Sequence, residues 1–143
     1  MSRARSGAKR LTAALAIDLD EFGKLVEDAF GDYPYLVGSA LVGTQWRDVD
    51  VRLILEDGAY AAMGLGEPND GHCNAKWRAL VLAFSALGRQ MTGLPVDFQI
   101  QQRTHANSLF DGRRSALGIR AQLARQGACP TPPSVSGGPR ADD

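Results

Sequence analysis

Asp48 and Asp50 stand two residues apart in the apolar run Asp48-Val49-Asp50-Val51-Arg52-Leu53-Ile54-Leu55. Side chains alternate between the faces of a strand. Val49, Val51, Leu53 and Leu55 therefore share a core-facing side, and Asp48, Asp50 and Arg52 share the other. A second segment, Pro95 to Gln102, repeats the pattern. Val96, Phe98 and Ile100 form its apolar set, and Asp97, Gln99 and Gln101 its polar set. If the two strands are neighbours in register, three carboxylates converge on one polar face. Each pair of ionised carboxylates ~4 Å apart is unfavourable by on the order of 4 kcal/mol at an effective dielectric near 20. Such a cluster takes up protons or binds a cation. Oxygen-only donors on a rigid strand suit Mg²⁺, which keeps waters and shares its shell with substrate phosphates. Two ions there would activate an attacking hydroxyl and orient a phosphate. The plainer reading is a solvated sheet face.

Upstream lies Val37-Gly38-Ser39. A glycine at the end of a strand lets a phosphate come close to the backbone. A serine hydroxyl and exposed N–H groups at the start of a short helix, Ala40 to Gly43, would make an anion site. Arg47 is the first cation after this turn, and Arg52 shares the carboxylate face, where it would pair with Asp50 or Asp97 or reach a phosphate.

These residues resemble the nucleotidyltransferase superfamily, which includes DNA polymerase beta, the CCA-adding enzymes, kanamycin nucleotidyltransferase and the minimal nucleotidyltransferases. That family carries an apolar-Gly-(Gly/Ser) turn, then Asp-apolar-(Asp/Glu)-apolar, then a third carboxylate on a later strand. The matching residues are Val37-Gly38-Ser39, Asp48-Val49-Asp50-Val51 and Asp97, and the resemblance spans about residues 20 to 102. It implies that Asp48, Asp50 and Asp97 hold one or two Mg²⁺ ions, with Asp97 also helping to deprotonate the acceptor. It implies that Gly38 and Ser39 cradle the β- and γ-phosphates of a nucleoside triphosphate, with Arg47 and Arg52 as further nucleotide contacts. The implied reaction moves a nucleoside monophosphate onto the hydroxyl of a protein, an RNA end or a small molecule. Eight residues separate Ser39 from Asp48, none of those from Ala40 to Trp46 is a cation, and the sequence offers no obvious second domain to bind an acceptor or the base. These features motivate an alternative: a non-catalytic binding or accessory protein on the same fold, such as one half of a toxin–antitoxin-like pair.

The elements that must position these residues read as helix, strand, strand, helix, strand, helix. That is an α/β (α+β) layout, a small mixed sheet with flanking helices. A first helix is predicted from Leu19 to Phe30, with Phe22, Leu25, Val26 and Ala29 on one face. Asp18 and Glu21 have the offset of a capping box, and Gly31 is a stop. The first strand is Tyr35 to Val37. A long helix from Cys73 to Met91 carries the stripe Trp77, Leu80, Phe84, Leu87 and Met91, capped by Asn69 or Asp70 and ended by Gly93. A last helical stretch, Thr104 to about Gln126, is interrupted by Gly112 and Gly118.

The chain has 143 residues, 44% of them hydrophobic, which favours one domain with a real core. Lys+Arg and Asp+Glu are 16 each, giving no basic excess of the kind a DNA-coating protein carries. Residues 1–10 read as a flexible basic tail, 11–126 as the folded domain, and 127–143 as a disordered Pro/Gly-rich tail. The two cysteines, Cys73 and Cys129, fit no disulfide framework and favour a reducing, cytoplasmic setting. No apolar run is long enough to span a membrane. His72 and His105 fit no zinc spacing, and Gly64-Leu65-Gly66 lacks the context of a dinucleotide fingerprint. Arg113, Arg114, Arg120 and Arg125 make a basic segment, either a solvated helix face or a grip on phosphate.

Overall fold

The structure, a computed structural model, describes residues 13–42, 47–68 and 73–128. Residues 1–12 and 129–143, Cys129 among them, with Gly43, Asn69, Asp70 and His72, lie outside the described residues; Gly127 and Ala128, read as the start of the C-terminal tail, instead end the last helix. The elements are α1 (Ala13–Phe30), β1 (Tyr35–Val37), α2 (Ser39–Val42), β2 (Val49–Leu55), α3 (Asp57–Ala62), α4 (Ala75–Thr92), β3 (Val96–Gln102), α5 (Arg103–Leu109), β4 (Ser115–Ala116) and α6 (Ile119–Ala128). The four strands form one mixed sheet in the order β3-β2-β1-β4. β1 runs antiparallel to both β2 and β4, and β2 runs parallel to β3. A parallel neighbour needs a long crossover, and α3 and α4 supply it. The expected α+β class is observed.

Helix α1 starts earlier than Leu19. Ala13, Ala14 and Leu15 are good helix formers, and Leu15 extends the buried row of Leu19, Phe22 and Val26. Asp18 and Glu21 therefore sit inside the helix and form no capping box. Leu25 and Ala29 are exposed, contrary to the predicted face. A second side of α1 is covered instead, because α6 packs across it. Gly23 lies there so close to Leu117 that a Cβ would collide with it. Gly31 does end the helix, its N–H donating to the Glu27 carbonyl at 2.7 Å.

All five residues of the predicted stripe of α4 pack against the core, each keeping part of its surface exposed, and the fully buried positions lie one residue along: Val81, Ser85, Gly88 and Thr92. Small residues bring this helix close to β3; a Cβ on Gly88 would press on Val96 and Phe22. The approach lets α4 satisfy the free edge of β3. Trp77 Nε1 donates to the Ile100 carbonyl at 2.8 Å, and Arg89 Nε to the Val96 carbonyl at 3.1 Å. Between them Ser85 Oγ accepts from the Phe98 N–H at 2.9 Å and donates to the Phe98 carbonyl at 3.4 Å. An open strand edge is a template for pairing with other chains, and these side chains close it. The cap of α4 is Asn74, whose Oδ1 accepts from Trp77 N, and Gly93 ends it at φ 71°.

Residues 104–126 do not form one helix. They divide into α5, β4 and α6, with Gly112 and Gly118 in the connections. Asp20, 8% exposed, draws α6 onto α1: its two carboxylate oxygens accept from the Gly118 and Ala121 N–H groups, each at 2.6 Å. The core joins Leu19, Phe22 and Val26 of α1 to Val49, Val51 and Leu53 of β2 and Val96, Phe98 and Ile100 of β3. Phe98 is its aromatic centre, edge-on to Phe22 at 6.1 Å and beside Phe84 at 5.4 Å.

Candidate active site

The alternation expected in β2 and β3 holds. Val49, Val51, Leu53 and Leu55 are buried, whereas Asp50 and Arg52 are half-buried on the opposite face. Val96, Phe98 and Ile100 are likewise buried, with Asp97 and Gln99 opposite them. The parallel register sets Asp50 directly beside Asp97 and Arg52 beside Gln99. Two of the three predicted carboxylates thus meet on adjacent strands. Asp48 lies one residue before β2 and is exposed, as is Arg47.

Arg52 lies between the paired carboxylates. Its Nη2 stands 3.5 Å from Asp50 Oδ1 and 3.4 Å from Asp97 Oδ2. Its Nη1 donates to the Asp97 carbonyl at 2.7 Å and to its neighbour Val51's carbonyl at 3.2 Å. The Arg52 side chain is 15% exposed, against 26% for that of Asp50 and 38% for that of Asp97. Burial holds the Asp50 carboxyl above its ordinary pKa; Arg52 opposes that rise, and Asp97 and then Asp48 add to it. Asp50 therefore feels the charge of both neighbouring carboxylates.

Gly38 ties the turn to this face. Val37 pairs with Asp50, so Gly38 follows directly alongside, at φ 78°. A Cβ on Gly38 would collide with Asp50 Oδ2. Both the left-handed backbone and the carboxylate exclude a side chain here. Ser39 opens α2, whose four residues place it one position earlier than the predicted Ala40–Gly43. Leu41 N donates to the Gly38 carbonyl at 3.1 Å, closing the turn.

The donor chemistry of Asp48, Asp50 and Asp97 suits magnesium, but the arrangement does not enclose an ion. Among the described residues no group of three His, Cys, Asp or Glu side chains is placed to hold a metal. Magnesium needs oxygens at about 2.0–2.1 Å in a near-octahedral shell. Arg52 Nη2 takes the space between two of the three donors.

The other sequence candidates lie elsewhere. Arg114 caps α5, donating to the Phe110 carbonyl at 2.8 Å and to Asn107 Oδ1 at 2.9 Å. Arg120 lines clefts of about 300 and 230 Å³ beside α1, with Asp20. Cys73 is a free, exposed thiol, and Trp77 serves the β3 edge. Sequence reasoning missed the cross-link at the far end of the two strands. There Asp57 accepts from Thr104 N at 3.1 Å and from Thr104 Oγ1 at 2.6 Å, and the Thr104 side chain and then its backbone N–H hold Asp57 below the ordinary carboxylate range. Arg103 reaches Glu56 beside it at 3.1 Å. Among the described residues no helix is long and apolar enough to cross a membrane. No protein-family model matches this chain, and neither a curated protein nor a solved structure is detectably similar to it.

Proposed function

We propose that the Gly38 turn and the Asp48, Asp50 and Asp97 face form a nucleotidyl-transfer site. The observation that carries this reading is the side-by-side placement of Asp50 and Asp97 with a side-chain-free turn against Asp50. In the reaction an acceptor hydroxyl attacks the α-phosphorus of a nucleoside triphosphate. A new oxygen–phosphorus bond forms, the bond to the β-phosphate oxygen breaks, and pyrophosphate leaves. Asp97, the more exposed of the paired carboxylates, takes the acceptor's proton. Gly38 and Ser39 lie where the chain leaves β1 and are the residues for the β- and γ-phosphates, and Arg47 is an exposed cation beside Asp48. Magnesium, the ion such donors call for, would neutralise the triphosphate, and Asp48, Asp50 and Asp97 are the residues for it once Arg52 no longer intervenes. The acceptor is a protein, an RNA end or a small molecule.

A second reading is a non-catalytic binding partner on the same scaffold. The guanidinium standing between the two carboxylates favours it. One experiment separates the two. The protein is incubated with Mg²⁺ and each α-³²P-labelled triphosphate, with itself, transfer RNA or a total cell extract, small molecules included, as acceptor. Incorporation that disappears in Asp50→Asn supports the transferase. No incorporation with any donor, or equal incorporation by Asp50→Asn, overturns it.

A further inference from the structure

We infer that Arg52 is a built-in cation that competes with a divalent metal ion for Asp50 and Asp97, so that the site at rest is closed to metal. The inference rests on the reading of this face as a transfer site and concerns how that site is loaded. Arg52 is held by the backbone first: its shortest contact is with the Asp97 carbonyl, at 2.7 Å, and the same nitrogen reaches the Val51 carbonyl. The other terminal nitrogen is thereby suspended between Asp50 Oδ1 and Asp97 Oδ2 at nearly equal distances. A guanidinium does not lose its proton in proteins, so this charge is permanent. Its two contacts to the carboxylates are long for charge-assisted hydrogen bonds, which run about 2.7–2.9 Å. Arg52 therefore neutralises the pair without binding either oxygen tightly. A magnesium ion bridging the same oxygens would hold each at about 2.1 Å and cannot share that space with Nη2. Loading the pair with a metal requires the guanidinium to turn away, and the phosphates of an arriving nucleotide offer it a better-matched partner.

The test is Mn²⁺ binding at fixed ionic strength, read from the electron paramagnetic resonance signal of the free ion. Wild type, Arg52→Met, Asp50→Asn and the Arg52→Met/Asp50→Asn pair are compared. Arg52→Met is expected to bind Mn²⁺ at least tenfold more tightly than wild type, and the double variant to lose that gain. Equal binding by wild type and Arg52→Met, abolished by Asp50→Asn, overturns the competition while leaving the carboxylate site intact. Absence of binding in every protein, Arg52→Met included, overturns the competition and the transfer site together. A measurement on wild type needs no variant to fold. Under Mg²⁺ titration the Arg52 Nε–H resonance is expected to shift together with the amides of Asp50 and Asp97. Shifts of those amides with Arg52 unmoved contradict the inference.

Discussion

Replacing Gly38 by alanine isolates the contact that links the turn to the carboxylates. Two costs add. An alanine held at φ 78° takes on a left-handed backbone, on the order of 1–2 kcal/mol. Its Cβ also meets Asp50 Oδ2, so the carboxylate must turn aside, at roughly 0.5–1.5 kcal/mol for a side chain moved off its preferred rotamer. The total is about 1.5–3.5 kcal/mol. At ~2.1 cal/mol/K per residue, unfolding a domain of this size moves about 3–4 °C per kcal/mol, so the melting temperature should fall by roughly 5–14 °C. In an Asp50→Ala background the offending oxygen is gone and the nearest remaining atom, Cβ of residue 50, is 3.5 Å away, an ordinary contact. There the same change should cost only the backbone share, about 1–2 kcal/mol. Asp50→Asn keeps the shape and should keep the full penalty. Thermal melts of the four corners of the Gly38→Ala, Asp50→Ala cycle give the coupling directly. A penalty equal in both backgrounds would show that Gly38 serves the turn alone and would refute the coupling of turn and carboxylate.

Ser85→Ala should destabilise by ~1–3 kcal/mol, because it strands the Phe98 N–H and carbonyl on a buried strand edge; urea melts measure it. Asp20→Ala removes both acceptors at the start of α6 and should cost roughly 1–2 kcal/mol, with amide exchange quickening first in residues 118–121. Asp50 holds its proton at higher pH in the folded state than in the unfolded chain, so stability is lost as pH rises from 3.8 through the folded pKa and stays lost above it. Asp50→Asn should therefore melt higher than wild type at pH 7 and lose that advantage below pH 3.8. Asp57 has the opposite sign: its contribution is present above 3.8 and disappears as pH falls through its lower folded value. Thr104→Val should accordingly flatten the acid limb of the melting profile.

The strands and the polar face were legible because the period of two runs unbroken through Val49–Leu53 and Val96–Gln101; only the buried Ile54 and the polar Gln102 depart from it, near the strand ends. Tyr35–Val37 matches β1 residue for residue, and the adjacency of Asp50 and Asp97 follows the alternation. Three features were not legible. α1 begins before Leu19 because Ala13, Ala14 and Leu15 form helix and Leu15 is buried, whereas Asp18 and Glu21 only imitate a cap; the carboxylate that does cap is Asp20, and it serves α6, about a hundred residues away. Hydrophobicity alone found the stripe of α4 that packs on the core but not the fully buried row beside it, Val81, Ser85, Gly88 and Thr92, which is small and partly polar. α5, β4 and α6 were merged because β4 is two residues long and is defined only by pairing with β1. At the site, sequence placed Arg52 on the carboxylate face but could not tell whether it would reach Asp50, Asp97 or a phosphate. That depends on the carbonyl of Asp97, a backbone group with no sequence signature.

The most direct measurement is thermal unfolding with Mg²⁺ and each of the four nucleoside triphosphates, in wild type and in Asp50→Asn. A ligand at 100 times its dissociation constant stabilises by about 2.7 kcal/mol, which is roughly 8–11 °C here. A shift of that order with at least one triphosphate, dependent on Mg²⁺ and absent in Asp50→Asn, is the result expected of a nucleotidyl-transfer site. No shift with any triphosphate, or a shift that Asp50→Asn retains in full, would contradict it.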